Sequence, residues 1–551
     1  MILITSAQYL VAEFQIEFGK LPPAFLPLGQ KRFYEYYARL FHAYNEPIVL
    51  TLPESFTLHS FDIANLAKYN IEILFVPDNL GLGESIVYAL NMKLPLNQSL
   101  HILHGDIYLE KIDSTENAIG VMHVDNNYEW EYLSSDYRIA CDSKQSCGDQ
   151  LALSGYFHIQ NPYTLIQSIV CSKYDYISGL KLYSQSYPFR VVEQNGWQDF
   201  GLLSSYLHAK QIITTQRAFN QLVFQDGFYL KTSSLHKKLQ GEINWFLEFP
   251  KELSLHIPLF MQLDKNSYKV EYLYLNTLAE LFVFGRLSII VWKNILNSLH
   301  SFLSKLHAKT STNQTNFNYT QKTFERLKDF CKERNFSFTQ PFCFVDSNAK
   351  TPLATTLSTT MGGGGGDMPL FSTAAFSVTL QDMLTDIDTY ITPSSHVCFI
   401  HGDFCFSNIM FDFRSNRIKT YDPRGIDFSD TITPYGDKRY DYAKIFHSLV
   451  GLYDFIIAGF YKCEISKSHI YFDIQEPSIV SSLQQYFIEL FCPQNAAEIY
   501  AITIHLFLSA LPLHADNPKR QDALFANAFR LYKQFKTLYP NSLNTDKKGK
   551  I

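Results

Sequence analysis

The sequence predicts an α/β protein with a mainly parallel sheet in its N-terminal part and a separate α+β part after it. In residues 1–210, short apolar runs alternate with helical patterns, which is typical of parallel strands joined by helices. Residues 222–231 resemble two strands around Gln225, Asp226 and Gly227, a sequence that favours a hairpin turn. Beyond residue 278 the apolar spacing becomes mostly helical, most clearly at residues 289–306.

The individual elements follow from these patterns. In the first part the sequence predicts strands at residues 1–5, 47–52, 71–76, 99–104 and 151–159, and helices at residues 33–41 and 84–90. In the second part it predicts a helix at residues 237–249, a strand at residues 268–274, a mixed segment from residue 397, and then helices to about residue 539. The apolar run at residues 449–461 is expected to be a buried helix.

Length and composition limit the class of protein. With 551 residues the chain is long enough for about three or four domains or lobes. The net charge of -6 and the absence of a basic stripe argue against a nucleic-acid partner. The nine cysteines have neither CxxC nor zinc spacing, which together with the lack of a basic leader predicts reduced thiols and a cytoplasmic location. The longest apolar run is interrupted by Asp454 and is too short for a membrane span.

Order is predicted to weaken in residues 309–379. This region contains threonine- and serine-rich runs and five consecutive glycines at residues 362–366, which favour neither helix nor strand. No Lys-Ser or Lys-Thr pair follows the glycines, so a phosphate-binding loop is not indicated. We therefore expect a flexible insertion here, and a polar, frayed tail at residues 541–551.

The most informative motif lies in residues 400–425. Residues 400–412 read IHGDFCFSNIMFD, which places Asp403 and Asn408 five positions apart between apolar segments, and residues 418–425 read IKTYDPRG, which places Asp422 after a strand. Phosphoryl transfer from ATP uses one carboxylate to accept or orient the acceptor hydroxyl, and an amide and a second carboxylate to hold magnesium. The order and spacing of these three residues therefore indicate this reaction class.

Upstream residues complete the pattern. Lys231 ends a predicted strand, where its ammonium would reach the α- and β-phosphates, and Glu242 follows eleven residues later on a predicted helix, where it would pair with Lys231. The segment 214–220 precedes the hairpin, at the place of a nucleotide-covering loop, but it contains no glycine.

Residues 212–540 resemble the aminoglycoside phosphotransferase and choline kinase family. The resemblance rests on His401, Gly402, Asp403 and Asn408, on Asp422, and on residues 440–444, which read YDYAK. It implies a bilobal, protein-kinase-like fold with an N-lobe at residues 211–280 and a C-lobe at residues 281–540. It also implies that Asp403 is the catalytic base, that Asn408 and Asp422 bind magnesium, and that Lys231 and Glu242 anchor ATP.

Other polar residues of this part favour structural interpretations. Asp441 is expected to cap a helix, and His447, on an apolar helical face, to belong to the core. Arg424 and Arg439 are expected to have surface or ion-pair roles rather than to contact a substrate phosphate.

The N-terminal part contains a second set of candidates. Residues 19–33, which read GKLPPAFLPLGQKRF, lead from the first strand and a short connection into a helix, and Gly81 and Gly83 flank a turn. Asp106 follows the strand that contains His104, and Asp199 stands in the sequence WQDFG. Two aspartates at strand ends would share one magnesium on a nucleoside triphosphate while a sugar phosphate attacks the α-phosphate.

Residues 1–210 resemble the sugar-phosphate nucleotidyltransferases, which have a Rossmann-like fold. The resemblance implies that Lys31, Gly81 and Gly83 bind the nucleotide, that Asp106 and Asp199 bind magnesium, and that the nucleotide is CTP, UTP or another triphosphate. The segment at residues 6–11, SAQYLV, has neither the glycines nor the arginine of that family's phosphate loop, and Lys20 is an alternative source of positive charge.

Together the two parts predict a bifunctional enzyme. A kinase would phosphorylate a sugar, polyol or amino alcohol such as choline with ATP, and a nucleotidyltransferase would convert the phosphate into an NDP-activated precursor for capsule or lipopolysaccharide. One alternative is a kinase whose degenerate N-terminal domain only binds a sugar nucleotide. The other is a non-catalytic assembly or regulatory protein of a polysaccharide locus.

Overall fold

The structure is a computed structural model that describes most of the chain. It describes all residues except 45, 97–98, 113–115, 124–130, 134–150, 195, 211–219, 347–375, 394–396 and 541–551. The glycine run 362–366, nearly all of the segment 214–220 and the polar tail 541–551 lie outside the described residues. By its internal contacts the chain divides into two compact units, Met1–Thr215 with Phe284–Ser288, and Gln216–Val283 with Ile289–Ile551.

The first unit is built on one large sheet. Its strands are β1 (Ile2–Thr5), β2 (Pro27–Leu28), β3 (Lys31–Arg32), β4 (Ile48–Pro53), β5 (Ile71–Val76), β6 (Leu100–His104), β7 (Ile107–Tyr108), β8 (Ala118–His123), β9 (Leu151–Ile159), β10 (Arg190–Glu193) and β11 (Gln198–Asp199). The seven-stranded sheet has the order β10-β8-β9-β6-β1-β4-β5, and β9 runs antiparallel to both of its neighbours while the other pairs are parallel. The predicted α/β fold with a mainly parallel sheet is confirmed for this part.

Helices connect and cover these strands. They are α1 (Ala12–Phe18), α2 (Tyr34–Leu40), α3 (Ser60–Lys68), α4 (Leu82–Met92), α5 (Pro162–Cys171), α6 (Tyr176–Ser186) and α7 (Leu203–Ala209), with short 3₁₀ turns at Pro23–Phe25 and His42–Tyr44. Their start signals are local: the side chains of Asn161 and Asp175 accept the backbone N–H of Thr164 and Ser178, which caps α5 and α6.

The core of the first unit explains why its strands are continuous apolar runs. All six residues of β4 are buried, as expected for a parallel strand that is covered on both faces. Leu3, Ile102 and Phe157 from the sheet pack with Ile86 and Ile169 from the helices. Thr5 lies in register with His104, so the segments that follow β1 and β6 leave the sheet side by side.

The second unit contains several small sheets. Its strands are β12 (Asn220–Gln225), β13 (Phe228–Ser233), β14 (Phe260–Asp264), β15 (Ser267–Glu271), β16 (Thr310–Ser311), β17 (Pro341–Asp346), β18 (Phe376–Thr379), β19 (Val397–Phe399), β20 (Ile409–Asp412), β21 (Arg417–Thr420), β22 (Tyr435–Asp437), β23 (Tyr461–Ser466) and β24 (His469–Ile474). The first four form an antiparallel sheet in the order β12-β13-β15-β14. Asp226 and Gly227, both with positive φ, join β12 to β13 in the predicted two-residue turn.

The helices of this unit follow in chain order. They are α8 (His236–Glu248), α9 (Leu278–Phe284), α10 (Ile289–His307), α11 (Tyr319–Arg334), α12 (Leu380–Asp388), α13 (Lys438–Leu449), α14 (Tyr453–Ala458), α15 (Ile479–Phe491), α16 (Ala496–Ala510) and α17 (Pro518–Leu538), with 3₁₀ turns at Lys251–His256, Phe406–Asn408 and Leu511–His514. The predicted helices at residues 237–249 and 289–306 therefore correspond to α8 and α10.

Three expectations for the C-terminal part were wrong. Order does not weaken throughout residues 309–379, because α11, β17 and β18 lie in that range. The run at residues 449–461 is not one helix, because α13 ends at Leu449 and Leu452 has a left-handed backbone before the short α14 begins. The chain then forms the β23–β24 hairpin, where only helices were expected, and this hairpin joins β17 and β18 in a four-stranded sheet. Its residues alternate in burial, which is the period of a strand and not of a helix.

One stretch in the described ranges has the length and composition of a membrane-spanning helix, Ala496–His514, which comprises α16 and the turn after it. Of this stretch 67% is buried inside the protein. α16 packs against α11, α13 and α17, which is the position of a core helix in the second unit.

Candidate functional site

A buried lysine lies between two carboxylates in the second unit. The ammonium of Lys231, on β13, is 2.7 Å from Oε2 of Glu242 on α8 and 2.5 Å from Oδ1 of Asp422. The hydroxyl of Tyr268, which is in register with Lys231 on β15, donates to the same Glu242 oxygen at 2.8 Å. The structure therefore brings together three of the residues that the sequence singled out, and Tyr268 is a partner that sequence reasoning missed.

Burial and charge set the protonation of this group. Burial would lower the pKa of Lys231, but the Asp422 carboxylate, with Tyr268 and Glu242, raises it well above its ordinary value. Burial would raise the pKa of Asp422, but the ammonium groups of Lys231 and Lys238 hold it below its ordinary value. Lys231 and Asp422 are therefore an ion pair near neutral pH, available to contact phosphate oxygens and a cation.

Two glycines allow α8 to approach the loop after Asp422. A methyl group on Gly425 would overlap the carbonyl oxygen of Gly241, the residue before Glu242, and a methyl group on Gly241 would lie 2.7 Å from the Gly425 carbonyl oxygen. Gly425 also has φ +63, a backbone conformation that residues other than glycine rarely adopt. Because no Cβ intervenes, the carboxylate of Glu242 reaches the same ammonium as that of Asp422.

This contact gives a testable prediction with a matched control. We expect Gly425→Ala to lower the melting temperature and to weaken the MgATP binding that the sequence predicts at least tenfold, since Glu242 would be displaced from Lys231. Gly227→Ala introduces the same change at φ +79 but meets nothing within 4 Å. It should therefore cost only the left-handed backbone strain, about 1–3 kcal/mol. Equal loss of ATP affinity in both variants, measured by calorimetry, would contradict the role of the contact.

A hairpin places Asn408 beside Asp422. Ile409 of β20 is in register with Thr420 of β21, and the backbone N–H of Tyr421 donates to the carbonyl oxygen of Asn408 at 3.2 Å. The residues that flank the hairpin, Asn408 and Asp422, are therefore neighbours although fourteen positions separate them. Asp422 itself has φ +56, a conformation that costs energy outside glycine and that is often found at functional sites.

The side chains of Lys444 and Asn408 contact Asp403. Nζ of Lys444, on α13, is 2.7 Å from Oδ1 of Asp403. Nδ2 of Asn408 donates to the backbone oxygen of Asp403 at 2.9 Å and to its Oδ2 at 3.1 Å. Because the amide nitrogen of Asn408 is used in this way, its carbonyl oxygen is the atom left to bind a cation. Lys444 belongs to the segment that carried the resemblance, but no role for it was predicted.

Asp441 corrects one sequence-based expectation. It does not cap α13; the side chain of Asp437 does, by accepting the N–H of Arg439. The fully buried Asp441 carboxylate instead accepts the backbone N–H groups of His401 at 2.9 Å and Gly402 at 2.8 Å. It thereby fixes the two residues that precede Asp403, and α13 becomes the support of this loop.

The other predicted structural residues also have defined places. Arg439 forms buried ion pairs with Asp437 and Glu498, in agreement with an ion-pair role. His447 is buried between the rings of Tyr453 and Phe507, as expected of a core histidine. Arg424 donates from Nε to the carbonyl oxygen of Ile426 at 2.9 Å and lies against Gly402.

The first unit contains a pair of carboxylates. Asp199 on β11 is in register with Ile107 on β7, so Asp106 and Asp199 are near one another. A methyl group at Gly201 would lie 2.9 Å from Oδ2 of Asp106 and 3.0 Å from Oδ1 of Asp199, so both carboxylates face one small space. Burial and the nearby Asp106 carboxylate raise the pKa of Asp199 to about 7. Burial also raises the pKa of Asp106, against the effect of His104.

The three remaining candidates of this unit contact other residues. Lys31 is 3.8 Å from Glu35, and 45% of its side chain is exposed. Gly81 precedes α4, and its N–H donates to the Glu84 carboxylate at 2.8 Å. At Gly83 a Cβ would overlap the Tyr174 carbonyl oxygen, so this glycine is required for helix packing.

The segment after β1 is short and tied to the sheet. The N–H of Ser6 donates to Oγ1 of Thr51 at 2.9 Å, and the Ser6 hydroxyl accepts the N–H of Ala24 at 3.0 Å. α1 begins at Ala12, so few residues separate it from β1. Lys20 lies 5.5 Å above the ring of Tyr9.

Both acidic sites fit a magnesium ion by their donor chemistry. Asp422 and the Asn408 carbonyl oxygen at one site, and Asp106 and Asp199 at the other, are the hard oxygen ligands that magnesium prefers. Burial raises the pKa of both carboxyl groups, and the Asp106 carboxylate raises that of Asp199 further, so a bound cation would favour their charged forms. Within the described ranges no group of three or more His, Cys, Asp and Glu side chains is arranged for a metal. Nucleotide phosphates and water would therefore supply the remaining ligands.

Comparison with known proteins gives structural neighbours only. No protein-family model matches the chain, and no curated protein matches it. The nucleoside-diphosphate-sugar pyrophosphorylase of Vibrio cholerae RC9 is 11% identical with a TM-score of 0.33, and the match covers 38% of this chain and 100% of that one. A putative glucose-1-phosphate thymidylyltransferase of Bacillus anthracis is 12% identical with a TM-score of 0.31, covering 39% and 97%. HddC of Yersinia pseudotuberculosis is 18% identical with a TM-score of 0.27, covering 39% and 99%.

Proposed function

We propose that the second unit is a small-molecule kinase that uses ATP and magnesium. The observation that carries this proposal is the buried contact of Lys231 with Glu242 and Asp422, next to a loop in which Asn408 holds Asp403. An antiparallel sheet with α8, followed by a mainly helical part, supports a bilobal, protein-kinase-like fold with lobes at residues 211–280 and 281–540.

In the proposed reaction Lys231, oriented by Glu242, binds the α- and β-phosphates of ATP. Asp403 accepts the hydroxyl proton while the alcohol oxygen forms a bond to the γ-phosphorus and the bond from that phosphorus to the β–γ bridging oxygen breaks. The products are a phosphomonoester, ADP and a proton. Magnesium, held by Asn408 and Asp422, would neutralise charge on the phosphates. Lys444 and Asn408 fix the Asp403 carboxylate, and Asp441 fixes the backbone before it.

We propose further that the first unit is a nucleotidyltransferase. Its support is the pair Asp106 and Asp199, whose carboxylates face one space at the end of the sheet. In this reaction a phosphate oxygen of a sugar phosphate bonds to the α-phosphorus of CTP, UTP or another triphosphate, and pyrophosphate leaves. Lys31, Gly81 and Gly83 are the proposed nucleotide contacts, although the close packing of Gly83 against Tyr174 also explains that glycine without a ligand.

A kinase alone is the second candidate. The observation that favours it is the segment after β1, which lacks glycine and arginine and whose Ser6 bonds to its own sheet. In this alternative the first unit binds a sugar nucleotide without converting it. A non-catalytic assembly protein is the third candidate, and the complete set of kinase-type residues in the second unit argues against it.

The two proposed reactions form a sequence. The kinase would supply a phosphomonoester, and the nucleotidyltransferase would convert it into an NDP-activated donor. Such donors are precursors for the decoration of capsule or lipopolysaccharide, and we propose this role and a cytoplasmic location, where nucleoside triphosphates are available. The partners are therefore small alcohols, sugar phosphates and nucleotides.

The test supplies purified full-length protein with ATP, CTP, UTP and magnesium, and with sugars, polyols, amino alcohols and their phosphates. ADP and pyrophosphate are measured separately. We expect alcohol-dependent ADP and phosphate-dependent pyrophosphate. ADP alone would support the kinase-only candidate. Neither product, together with no binding of ATP, would support the assembly protein.

Magnesium binding to the first unit should depend on pH. Protons compete with the cation for Asp199, whose pKa is about 7, so affinity should rise as pH increases from 6 to 8. Calorimetry without nucleotide should show this rise in the wild type and a loss of affinity in Asp199→Asn. Asp78→Asn, which changes a carboxylate between β5 and α4, is the control. Equal magnesium affinity in the wild type and Asp199→Asn would remove Asp199 from the site.

A further inference from the structure

Several basic side chains lie near Asp403. They are linked to one another by contacts with aromatic rings, beginning at Lys444. Lys444 is bonded to Asp403, and its Nζ lies 5.9 Å from the centroid of the Tyr440 ring. Nζ of Lys322, on α11, lies 5.6 Å from the same centroid and 3.6 Å from the centroid of Phe428. The two aromatic rings contact each other at 5.4 Å, so they connect the two ammonium groups.

Arg424 links these aromatic rings to the loop that contains Asp403. Cζ of Arg424 lies 5.3 Å from the centroid of Phe428, and the Arg424 backbone N–H donates to the carbonyl oxygen of His401 at 3.0 Å. Cβ of Arg424 is 2.7 Å from the place that a Cβ of Gly402 would take. Lys322, Arg424 and Lys444, which we name the basic cluster, therefore lie around the proposed base, while Lys231 is the basic residue of the nucleotide site.

The charges of this cluster are not balanced. Of its three members only Lys444 has a carboxylate partner within the described part of the chain, and that partner is Asp403. Among the same residues the Lys322 ammonium and the two Nη atoms of Arg424 make no hydrogen bond. The carboxylate oxygens of nearby Asp427 already accept hydrogen bonds from the backbone N–H groups of Asn316, Ser429 and Thr431.

The environment of Lys322 is unfavourable for a positive charge. Burial, and then the positive charges of Arg424, Arg326 and Lys444, lower the pKa of Lys322 well below its ordinary value, against the smaller opposite effect of the Asp403 carboxylate. Retaining unpaired basic groups in a half-buried place costs free energy, and an anion would offset that cost.

The faces of Phe428 and Tyr440 are already occupied by Lys322, so these rings are not an empty cage for a quaternary ammonium.

We propose that the alcohol phosphorylated at Asp403 is itself an anion, carrying a phosphate or carboxylate group that Lys322 and Arg424 bind. This inference rests on the proposed kinase function and narrows its acceptor to phosphorylated sugars or polyols and to sugar acids. A guanidinium binds either anion with two parallel hydrogen bonds, and Lys322, whose protonated form the bound anion favours, adds a point charge. Cationic amino alcohols are excluded by the same charges.

The first test measures the anion site without turnover. Inorganic phosphate is titrated into full-length protein whose nucleotide site is saturated with ADP and magnesium. Lys322→Met keeps the apolar stem against the rings and should weaken phosphate binding at least tenfold, as should Arg424→Gln. Lys322→Arg should retain binding, and Lys328→Met, on an exposed position of the same helix, should not change it. Equal phosphate affinity in the wild type and Lys322→Met would overturn the inference.

The second test identifies the acceptor class. ADP formation is followed with polyol phosphates, sugar acids, neutral polyols and choline. Turnover with the phosphates or the acids, reduced at least tenfold in Lys322→Met, supports the inference and distinguishes its two anions. Turnover with a neutral alcohol or choline that Lys322→Met leaves unchanged would overturn the inference and leave the kinase function standing. If no acceptor yields ADP, both the kinase function and the inference of an anionic acceptor are overturned, whatever the phosphate titration shows.

Discussion

Replacing Asp403 with asparagine is expected to lower the rate of phosphoryl transfer about 10²–10⁴-fold, the usual contribution of a positioned general base. The amide cannot accept the hydroxyl proton at neutral pH, yet it keeps the size of the carboxylate and an oxygen for Lys444. Since Lys231 and Asp422 are unchanged, the affinity for MgATP should remain within about threefold of the wild type. Rates are measured as acceptor-dependent ADP formation, and affinity by calorimetry.

The control for this variant is Asp412→Asn. Asp412 lies on the hairpin that follows Asp403 and accepts the N–H groups of Arg414 and Ser415, which an asparagine oxygen also accepts. Its substitution should leave both rate and affinity unchanged. An Asp403→Asn protein that binds ATP and retains full turnover would show that Asp403 is not the base.

Replacing Lys231 with methionine is expected to produce the largest loss of stability. The ammonium is the shared partner of Glu242 and Asp422, and its removal leaves the buried Glu242 carboxylate beside the partly exposed Asp422 carboxylate with no cation between them. Breaking a buried ion pair by removing one partner typically costs about 3–5 kcal/mol. We expect a loss of this size in the free energy of unfolding of the second unit, measured with denaturant, together with loss of MgATP binding.

A double variant separates stability from function. Lys231→Met with Glu242→Met removes one of the two unpaired carboxylates and replaces it with an apolar group that packs against Tyr268. Part of the lost stability should return, because apolar replacements of buried ion pairs are often neutral. ATP binding should not return, since the phosphate contact is still missing. Recovery of ATP binding in the double variant would contradict the role of Lys231.

The proposed kinase site was accessible to sequence reasoning because its residues lie on or near consecutive elements with fixed spacing. Asp403, Asn408 and Asp422 are brought together by one hairpin, and Lys231 and Glu242 by a strand and the following helix. These are local arrangements, so spacing along the chain predicts them well. Lys444 and Asp441 were harder to assign, because they reach the Asp403 loop from α13 and a helical side chain does not reveal its tertiary partner.

Other features depend on contacts between distant segments. Lys322 is eighty-one positions before Asp403, and nothing in its own helix distinguishes it from exposed Lys328. Gly241 and Gly425 appeared as an ordinary helical glycine and a loop glycine, and only their mutual approach explains both. The β23–β24 hairpin had a usable signal, because residues 461–466, YKCEIS, alternate between apolar and polar side chains, but the surrounding helical sequence made a helix the expected continuation.

The measurement that tests the central claim most directly is phosphorus NMR of full-length protein incubated with MgATP and a polyol phosphate or sugar acid. Our account predicts a new phosphomonoester resonance that grows in step with ADP and is absent from Asp403→Asn, whose ATP affinity is intact. After addition of CTP or UTP, a diphosphate-diester resonance should follow. ADP that appears only with free phosphate, or a phosphomonoester formed equally by Asp403→Asn, would contradict the account.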